Sequence, residues 1–161
     1  MIVREAKPGE MAAVGELRVT AYTAGNMLAV NSPYASTLRA LGADGRGEVL
    51  VAVDDGEVLG TVMFDPWHPA SEVARAGDEA EVRALAVAPA AQRRGVGAAL
   101  VGAVIDLAAR RGVHRLMLST QPSMTTAQRL YAAAGFTRVP DRDWEPMPGF
   151  TLLAFGRPIA A

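Results

Sequence analysis

One passage restricts the possible folds of this chain more than any other: VRALAVAPAAQRRGVGAALVGAVIDLAARRG, residues 82–112. It begins as an apolar run and passes through Pro89. Two arginines and a Gly-x-Gly follow, and then a long segment with helical periodicity. This order predicts a strand, a turn and a helix. Because a helix N-terminus leaves backbone N–H groups unpaired and carries partial positive charge, the predicted turn is suited to binding phosphate.

Two well-known phosphate-binding motifs do not fit this turn. A P-loop needs Gly-Lys followed by Ser or Thr, which the passage lacks. A dinucleotide-binding fingerprint needs a third glycine where this chain has Leu100. Its glycine-rich turn also follows the strand directly, whereas here Pro89 lies between the strand and the glycines. Taken alone, the Gly-x-Gly is equally consistent with a tightly packed strand–helix turn.

The hydrophobic pattern predicts elements in the order β, α, α, β, β, β, α, β, α, β, β. The strands are predicted at 2–6, 48–53, 58–64, 81–87, 115–119, 136–139 and 150–155. The helices are predicted from Pro8 through Ala21 and at 34–41, 96–111 and 125–134, with loops at 25–33, 66–77 and 140–149. One βαβ unit among so many strands predicts a mixed sheet with helices on its faces.

Length and composition exclude several classes of protein. With 161 residues, 16 basic and 17 acidic side chains, the chain is expected to form one domain, residues 1–161, and not to bind nucleic acid. It has no cysteine, which excludes disulfides and thiol nucleophiles, and no metal site is expected. The charged N-terminus is unlike a signal peptide, and no apolar stretch is long enough to cross a membrane. A cytoplasmic protein is expected.

Two motifs carry a family resemblance. LAVAPAAQRRGVGAALV resembles the acetyl-CoA-binding motif Gln/Arg-x-x-Gly-x-Gly/Ala of the GCN5-related N-acetyltransferase (GNAT) superfamily, through Gln92, Gly95 and Gly97. AQRLYAAAGF, residues 127–136, resembles the downstream helix of that superfamily with its Leu-Tyr-x-x-x-Gly-Phe ending. The hairpin LVAVDDGEVLGTVMF resembles the preceding strand pair, so the likeness covers residues 48–137.

The resemblance implies an α/β (α+β) fold with a strongly twisted mixed sheet of six to seven strands and about four helices. Strand four (81–87) and strand five (115–119) would run parallel and splay apart, and acetyl-CoA, the cosubstrate, would enter the gap. Strand four would pair with pantetheine, and the turn would hold the pyrophosphate. The implied cofactor-binding residues are Leu85, Ala86, Val87, Gln92, Arg93, Arg94, Gly95, Val96, Gly97 and Ala98.

The same resemblance assigns catalytic residues. Tyr131 matches the tyrosine of the downstream motif and is expected to protonate the leaving thiolate. Glu81 is expected to take a proton from the amine, through a water, with Glu79 and Asp78 as nearby alternatives. The Leu85 amide is expected to polarise the thioester carbonyl.

One position departs from the family pattern, and the acceptor side is less defined. Met124 stands where many relatives carry a cofactor-contacting asparagine, and Ser119, Thr120 or Ser123 are the available replacements. Candidates for the acceptor pocket are Tyr22, Tyr34, Trp67, His68, Arg83, Asp143 and Trp144. The predicted function is acetyl transfer to a primary amine of a small molecule in a ternary complex, in a possible homodimer. The alternatives are a protein N-terminal or lysine acetyltransferase and a non-catalytic CoA-binding module.

Overall fold

The strands and helices follow the hydrophobic pattern of the sequence closely. The structure, a computed structural model, describes residues 1–25, 28 and 32–160. Its strands are β1 (Ile2–Glu5), β2 (Glu48–Asp54), β3 (Glu57–Pro66), β4 (Glu79–Val87), β5 (Arg115–Thr120), β6 (Thr137–Arg138), β7 (Trp144–Met147) and β8 (Phe150–Pro158). Its helices are α1 (Met11–Ala24), α2 (Tyr34–Ala40), α3 (Val96–Arg110) and α4 (Thr125–Ala133). Within the described ranges, no helix is long and apolar enough to span a membrane.

The strands of the described chain form one mixed sheet in the order β1-β2-β3-β4-β5-β8-β6, and β7 pairs with β8. Every pair is antiparallel except β4 with β5, which is parallel. The predicted mixed sheet with parallel fourth and fifth strands is therefore confirmed. It has eight strands instead of six to seven, because β7 forms where a loop was predicted.

Parallel pairing between β4 and β5 is short. The register joins Glu79 to Arg115, Ala80 to Leu116 and Glu81 to Met117, and it extends no further. Beyond Glu81, β4 keeps only its antiparallel partner β3, while β5 continues along β8. The two strands therefore separate in the middle of the sheet, as the resemblance implied.

Alternating residues of β2 show how helices cover both faces of the sheet. Leu50 and Ala52 belong to the main core, to which α3 contributes its buried stripe. Val49, Val51 and Val53 point to the other face and pack with Val14 of α1. This alternation is what a strand covered on both sides requires.

A buried arginine fixes α2 against α1. The Arg18 Nη1 donates hydrogen bonds to the carbonyl oxygens of Leu38 and Leu41, at 2.9 and 2.8 Å. Burial lowers the pKa of Arg18 to about 10, so its side chain is still charged at neutral pH. Because these carbonyls lie at the C-terminal end of α2, the guanidinium also complements the helix dipole there.

Several predicted boundaries differ from the structure. The first helix starts with a 3-10 turn over Pro8–Glu10, and α1 begins only at Met11. The predicted strand at 136–139 shortens to two residues, whereas β8 extends to Pro158. Within the predicted loop at 25–33, residues 26, 27 and 29–31 lie outside the described residues.

Candidate functional site

A cavity of about 490 Å³ opens where β4 and β5 separate. This volume is in the usual range for a small-molecule site. Its wall combines both splayed strands with α1, α2, α4 and the β7–β8 segment. The lining residues are Tyr22, Leu28, Ser32, Pro33, Tyr34, Leu38, Leu41, Glu72, Val73, Glu81, Val82, Arg83, Ala84, Leu85, Leu118, Ser119, Thr120, Gln121, Met124, Ala127, Tyr131, Trp144, Pro146, Met147, Phe150 and Leu152.

A β-bulge shapes the β4 wall of this cavity. Thr61 of β3 pairs with Ala86 and Met63 pairs with Arg83, so one residue of β3 opposes two of β4. Ala84 takes a left-handed conformation there, with φ of 52°, which is unusual for a residue other than glycine. Bulges bend a strand and redirect its side chains, and this one lies just beyond Glu81, the last residue of β4 that pairs with β5.

The β5-facing edge of β4 carries the residues expected to pair with pantetheine. Leu85 lines the cavity, and Ala86 and Val87 continue the strand beyond it. No strand of the described chain pairs with this edge after Glu81. Unpaired strand edges bind extended ligands through main-chain hydrogen bonds.

The turn before α3 presents six consecutive backbone amides, those of Arg93 through Ala98, that make no hydrogen bond of good geometry within the described chain. Arg93 and Gly95 both have positive φ, 65° and 77°, and such alternation of backbone conformation forms anion-binding nests. The first helical hydrogen bond runs from the Ala99 amide to the Gly95 carbonyl. The turn that was predicted to bind pyrophosphate thus presents a set of free donors.

The two glycines of the motif have different structural reasons. Gly95 has positive φ, and a Cβ added there would meet nothing within 4 Å. A Cβ on Gly97 would lie 2.9 Å from Leu130 Cδ2, so Gly97 brings α3 and α4 close together. Of the neighbouring polar side chains, Gln92 and Arg93 are exposed, and Arg94 pairs with Asp54 at 3.1 Å. An exposed pair of this kind is weak and leaves Arg94 able to meet a phosphate.

Tyr131 lies on α4 with its ring in the core and its side chain in the cavity wall. It is 6% exposed and packs edge-on against Phe136, with ring centroids 5.7 Å apart. Burial raises the pKa of Tyr131, and the neighbouring Tyr22 raises it further. The hydroxyl therefore stays protonated at neutral pH and can donate a proton.

Glu81 is 1% exposed and lines the cavity at the last position of β4 that pairs with β5. Its Oε2 accepts hydrogen bonds from the Val73 and Ala74 amides, which fix the carboxylate in place. Its Oε1 is buried and has no partner among the described residues. A buried acceptor without a donor is costly unless a water or ligand satisfies it.

The alternative bases from the sequence analysis lie elsewhere. Glu79 is bound by Arg142, at 2.7 and 3.0 Å, and by the Arg75 amide. Burial alone would raise the pKa of Glu79, but these hydrogen bonds outweigh it and the pKa is lowered. Asp78 is exposed and lies 3.8 Å from His114. Neither carboxylate lines the cavity, so the geometry does not bring them to the site.

The sequence-predicted acceptor residues separate into two groups. Tyr22, Tyr34, Arg83 and Trp144 line the cavity, whereas Trp67, His68 and Asp143 do not. His68 lies 3.5 Å from Asp65 beside a second hollow, and Asp143 is paired with Arg138. Sequence reasoning missed Glu72, a cavity residue in the predicted 66–77 loop, because nothing in its local pattern distinguishes it from a surface acid.

Met124, which stands where the family resemblance implies an asparagine, accepts two hydrogen bonds through its sulfur. Its Sδ lies 3.3 Å from both the Thr120 hydroxyl and the Gln121 amide, which donate to it. Ser119 and Thr120 line the cavity beside it, and Ser123 does not. Of the three suggested replacements, Ser119 and Thr120 are therefore positioned to meet a ligand.

The chain is similar to curated acetyltransferases over part of its length. It is 38% identical over 92 residues to mycothiol acetyltransferase from Sanguibacter keddieii, covering 57% of this chain and 29% of that protein. It is 40% identical over 72 residues to [ribosomal protein bS18]-alanine N-acetyltransferase from Haemophilus ducreyi, covering 44% of this chain and 50% of that protein. The chain thus spans half or less of the length of these two relatives.

The fold is shared with solved structures over the whole chain. A Salmonella typhimurium protein solved with its cofactor acetyl-CoA has a TM-score of 0.72 and 22% identity, covering 100% of this chain and 95% of the other. The sequence model of the acetyltransferase (GNAT) family matches residues 13–136, which include the splayed strands, the amide turn and Tyr131. The match extends over most of the chain, and the chain belongs to the acetyltransferase (GNAT) family.

Proposed function

We propose that this protein is an acetyl-CoA-dependent N-acetyltransferase that acts on a primary amine of a small molecule. One observation carries the proposal: a run of free amides at 93–98 lies at the start of α3, next to a strand edge that has lost its parallel partner. A ligand that carries both an anionic group and an extended, amide-bearing arm would bind the free amides and the strand edge together.

The residues present fit acetyl-CoA. The amides of 93–98 would hold the pyrophosphate, and the open space beside Gly95 leaves room for it. The unpaired edge of Leu85, Ala86 and Val87 would bind the pantetheine amides. Arg93, which is exposed, would add a positive charge near the phosphates. When bound, acetyl-CoA supplies the acyl thioester that the amine attacks.

The cavity residues supply the proton transfers that such a reaction needs. An ammonium has no lone pair, so the acceptor must lose a proton, and the unpaired Oε1 of Glu81 would take it, directly or through a water. The nitrogen–carbon bond then forms as the carbon–sulfur bond breaks. Tyr131, protonated because it is buried, gives its proton to the departing sulfur and regains one as the newly acylated nitrogen loses its second proton. The Leu85 amide would stabilise the negative charge on the carbonyl oxygen.

The shape of the site supports a small acceptor over a protein. Helices α1 and α2 and the β7–β8 segment all contribute to the wall of the same 490 Å³ cavity. An extended peptide would need an open groove along the surface, whereas this cavity suits a compact molecule.

Calorimetric titration with acetyl-CoA and CoA, with NAD and ATP as controls, tests the proposal. Micromolar binding of acetyl-CoA without binding of NAD or ATP is the expected result. Release of free thiol on adding an amine would then establish transfer. A folded protein that binds no CoA species would refute the proposal and leave the glycines as a tight turn.

A further inference from the structure

Two separate segments give the acceptor side of the cavity an apolar wall. From α1 and α2 come Tyr22 and Leu38, and from the β7–β8 segment come Trp144, Phe150 and Leu152. Tyr34 and Met147 line the cavity yet are 44% and 59% exposed, so they lie at its opening. Exposed large apolar side chains beside a concave apolar surface indicate a site for an apolar ligand.

The charges in this wall favour a cation. Among the described lining residues only Glu72, Glu81 and Arg83 are charged. Arg83 is already held by Asp65 at 3.4 Å and by Glu72 at 3.6 Å. The positive charge of Arg83 is therefore compensated from within the protein. Glu72, Glu81, Arg83 and Asp65 together keep an excess of negative charge. An anionic acceptor would face both glutamates, whereas one ammonium group would complement them.

The number of positive charges that the wall can hold is small. The carboxylates of Glu72 and Glu81 are the acidic groups among the described lining residues, and the rest of the acceptor wall is apolar or uncharged. Because Glu81 has to take the proton of the reacting amine, Glu72 alone is left to pair with a positive charge, and a second ammonium would lie against aromatic and aliphatic side chains without a partner, which is costly. Burial raises the pKa of Glu72, Arg83 opposes the shift, and Glu81 and Asp65 add to it. A cation bound beside this carboxyl would favour its charged form.

We infer that the acceptor is a primary amine with a single positive charge on an apolar or aromatic body, and that Glu72 recognises its ammonium group. The inference rests on the proposed function and narrows its substrate class. Glu81 then accepts the proton, while the apolar body fills the wall formed by Trp144, Phe150 and Leu152.

The test compares four amines as substrates of the wild-type protein with acetyl-CoA, following free thiol. They are 2-phenylethylamine, ethylamine, spermidine and a short peptide with an N-terminal alanine. We expect kcat/KM for 2-phenylethylamine to exceed those of the other three at least tenfold, because only it combines one charge with an apolar body. Preference for spermidine or the peptide would overturn the inference.

Two variants test the part played by Glu72. Glu72→Gln should raise KM for 2-phenylethylamine at least tenfold and leave KM for acetyl-CoA unchanged. Glu5→Gln, an exposed glutamate on β1, is the matched control and should leave both constants unchanged. An unchanged amine KM in Glu72→Gln contradicts the assigned role.

The substrate class and the binding of acetyl-CoA can be refuted separately. Binding of acetyl-CoA without acetylation of 2-phenylethylamine refutes the substrate class and leaves the cofactor proposal standing. Absence of acetyl-CoA binding refutes the proposed function, and the inference with it.

Discussion

At the scale of single residues, Tyr131 belongs both to the packed core and to the cavity wall. Tyr131→Phe keeps the edge-on contact with Phe136 and removes only the hydroxyl. We expect kcat to fall about a hundredfold, the usual effect of losing a general acid. The Kd for acetyl-CoA, measured by calorimetry, and the melting temperature should stay the same.

The pH dependence of the wild type tests the same residue. Because burial raises the pKa of Tyr131, its hydroxyl remains a proton donor beyond about pH 10, where an exposed tyrosine ionises. An alkaline loss of kcat near that pH, absent in Tyr131→Phe, would contradict the environment described for this side chain.

Glu81 holds the Val73 and Ala74 amides and is also the proposed base, and Glu81→Gln separates these two roles. In Glu81→Gln the amide oxygen can still accept from the Val73 and Ala74 amides, so the fold is retained. The variant cannot take a proton, and we expect kcat/KM to fall about a hundredfold at neutral pH. Asp78→Asn is the control, because Asp78 lies outside the cavity. The opposite ranking of the two variants would place the base elsewhere.

At the scale of secondary structure elements, α3 is bounded by two glycines that share a conformation. Gly95 precedes the helix with a φ of 77°, and Gly112 follows it with a φ of 72°. A Cβ added at either glycine would have no other atom within 4 Å. Alanine at either position should cost about 1 kcal/mol through left-handed strain alone. Only Gly95→Ala should also weaken acetyl-CoA binding, at least tenfold, because it redirects the free amides.

Chemical denaturation and calorimetry on both variants check this prediction. Equal loss of stability with unequal loss of affinity is the expected pattern. Equal affinities would mean that the amides of the turn do not bind the cofactor.

The elements also show what the sequence could and could not predict. The βα turn was predictable because helical periodicity and glycines at its start are local signals. Strand β7 was not, because its segment contains Pro146 and becomes a strand only by pairing with β8. The hydrogen bonds from the Val73 and Ala74 amides to the Glu81 carboxylate were not predictable either. They depend on how the loop folds back onto β4, and no local sequence pattern indicates that.

At the scale of the whole molecule, the splayed sheet needs a firm connection at its closed end. Only three residue pairs join β4 to β5. Bonds around the start of β4 reinforce that connection: the His114 amide donates to the Asp78 carbonyl, and Arg142 binds Glu79. The site can therefore be open between the strands without separating the two halves of the sheet.

We therefore expect Glu79 to stabilise the fold and to take no part in acetyl transfer. Glu79→Gln leaves the nearly buried Arg142 without a charged partner, and we expect the free energy of unfolding at pH 7 to fall by about 2 kcal/mol. Glu16→Gln breaks an exposed pair with Arg39 and should cost less than about 0.5 kcal/mol. Urea titrations measure both, and equal effects would mean that the Arg142 bond adds nothing.

Acid gives a second test of the Glu79 bond, with a defined sign. The folded protein lowers the pKa of Glu79 below its ordinary value of 4.5, so the unfolded chain binds the proton more tightly. The stabilisation is therefore complete above that ordinary value and is lost as the pH falls through the lowered one. The difference between wild type and Glu79→Gln should shrink over this acidic range. A difference that stays constant there would assign the effect to packing and not to the charge, and the closed end of the sheet would then depend on its three backbone pairs and the surrounding core.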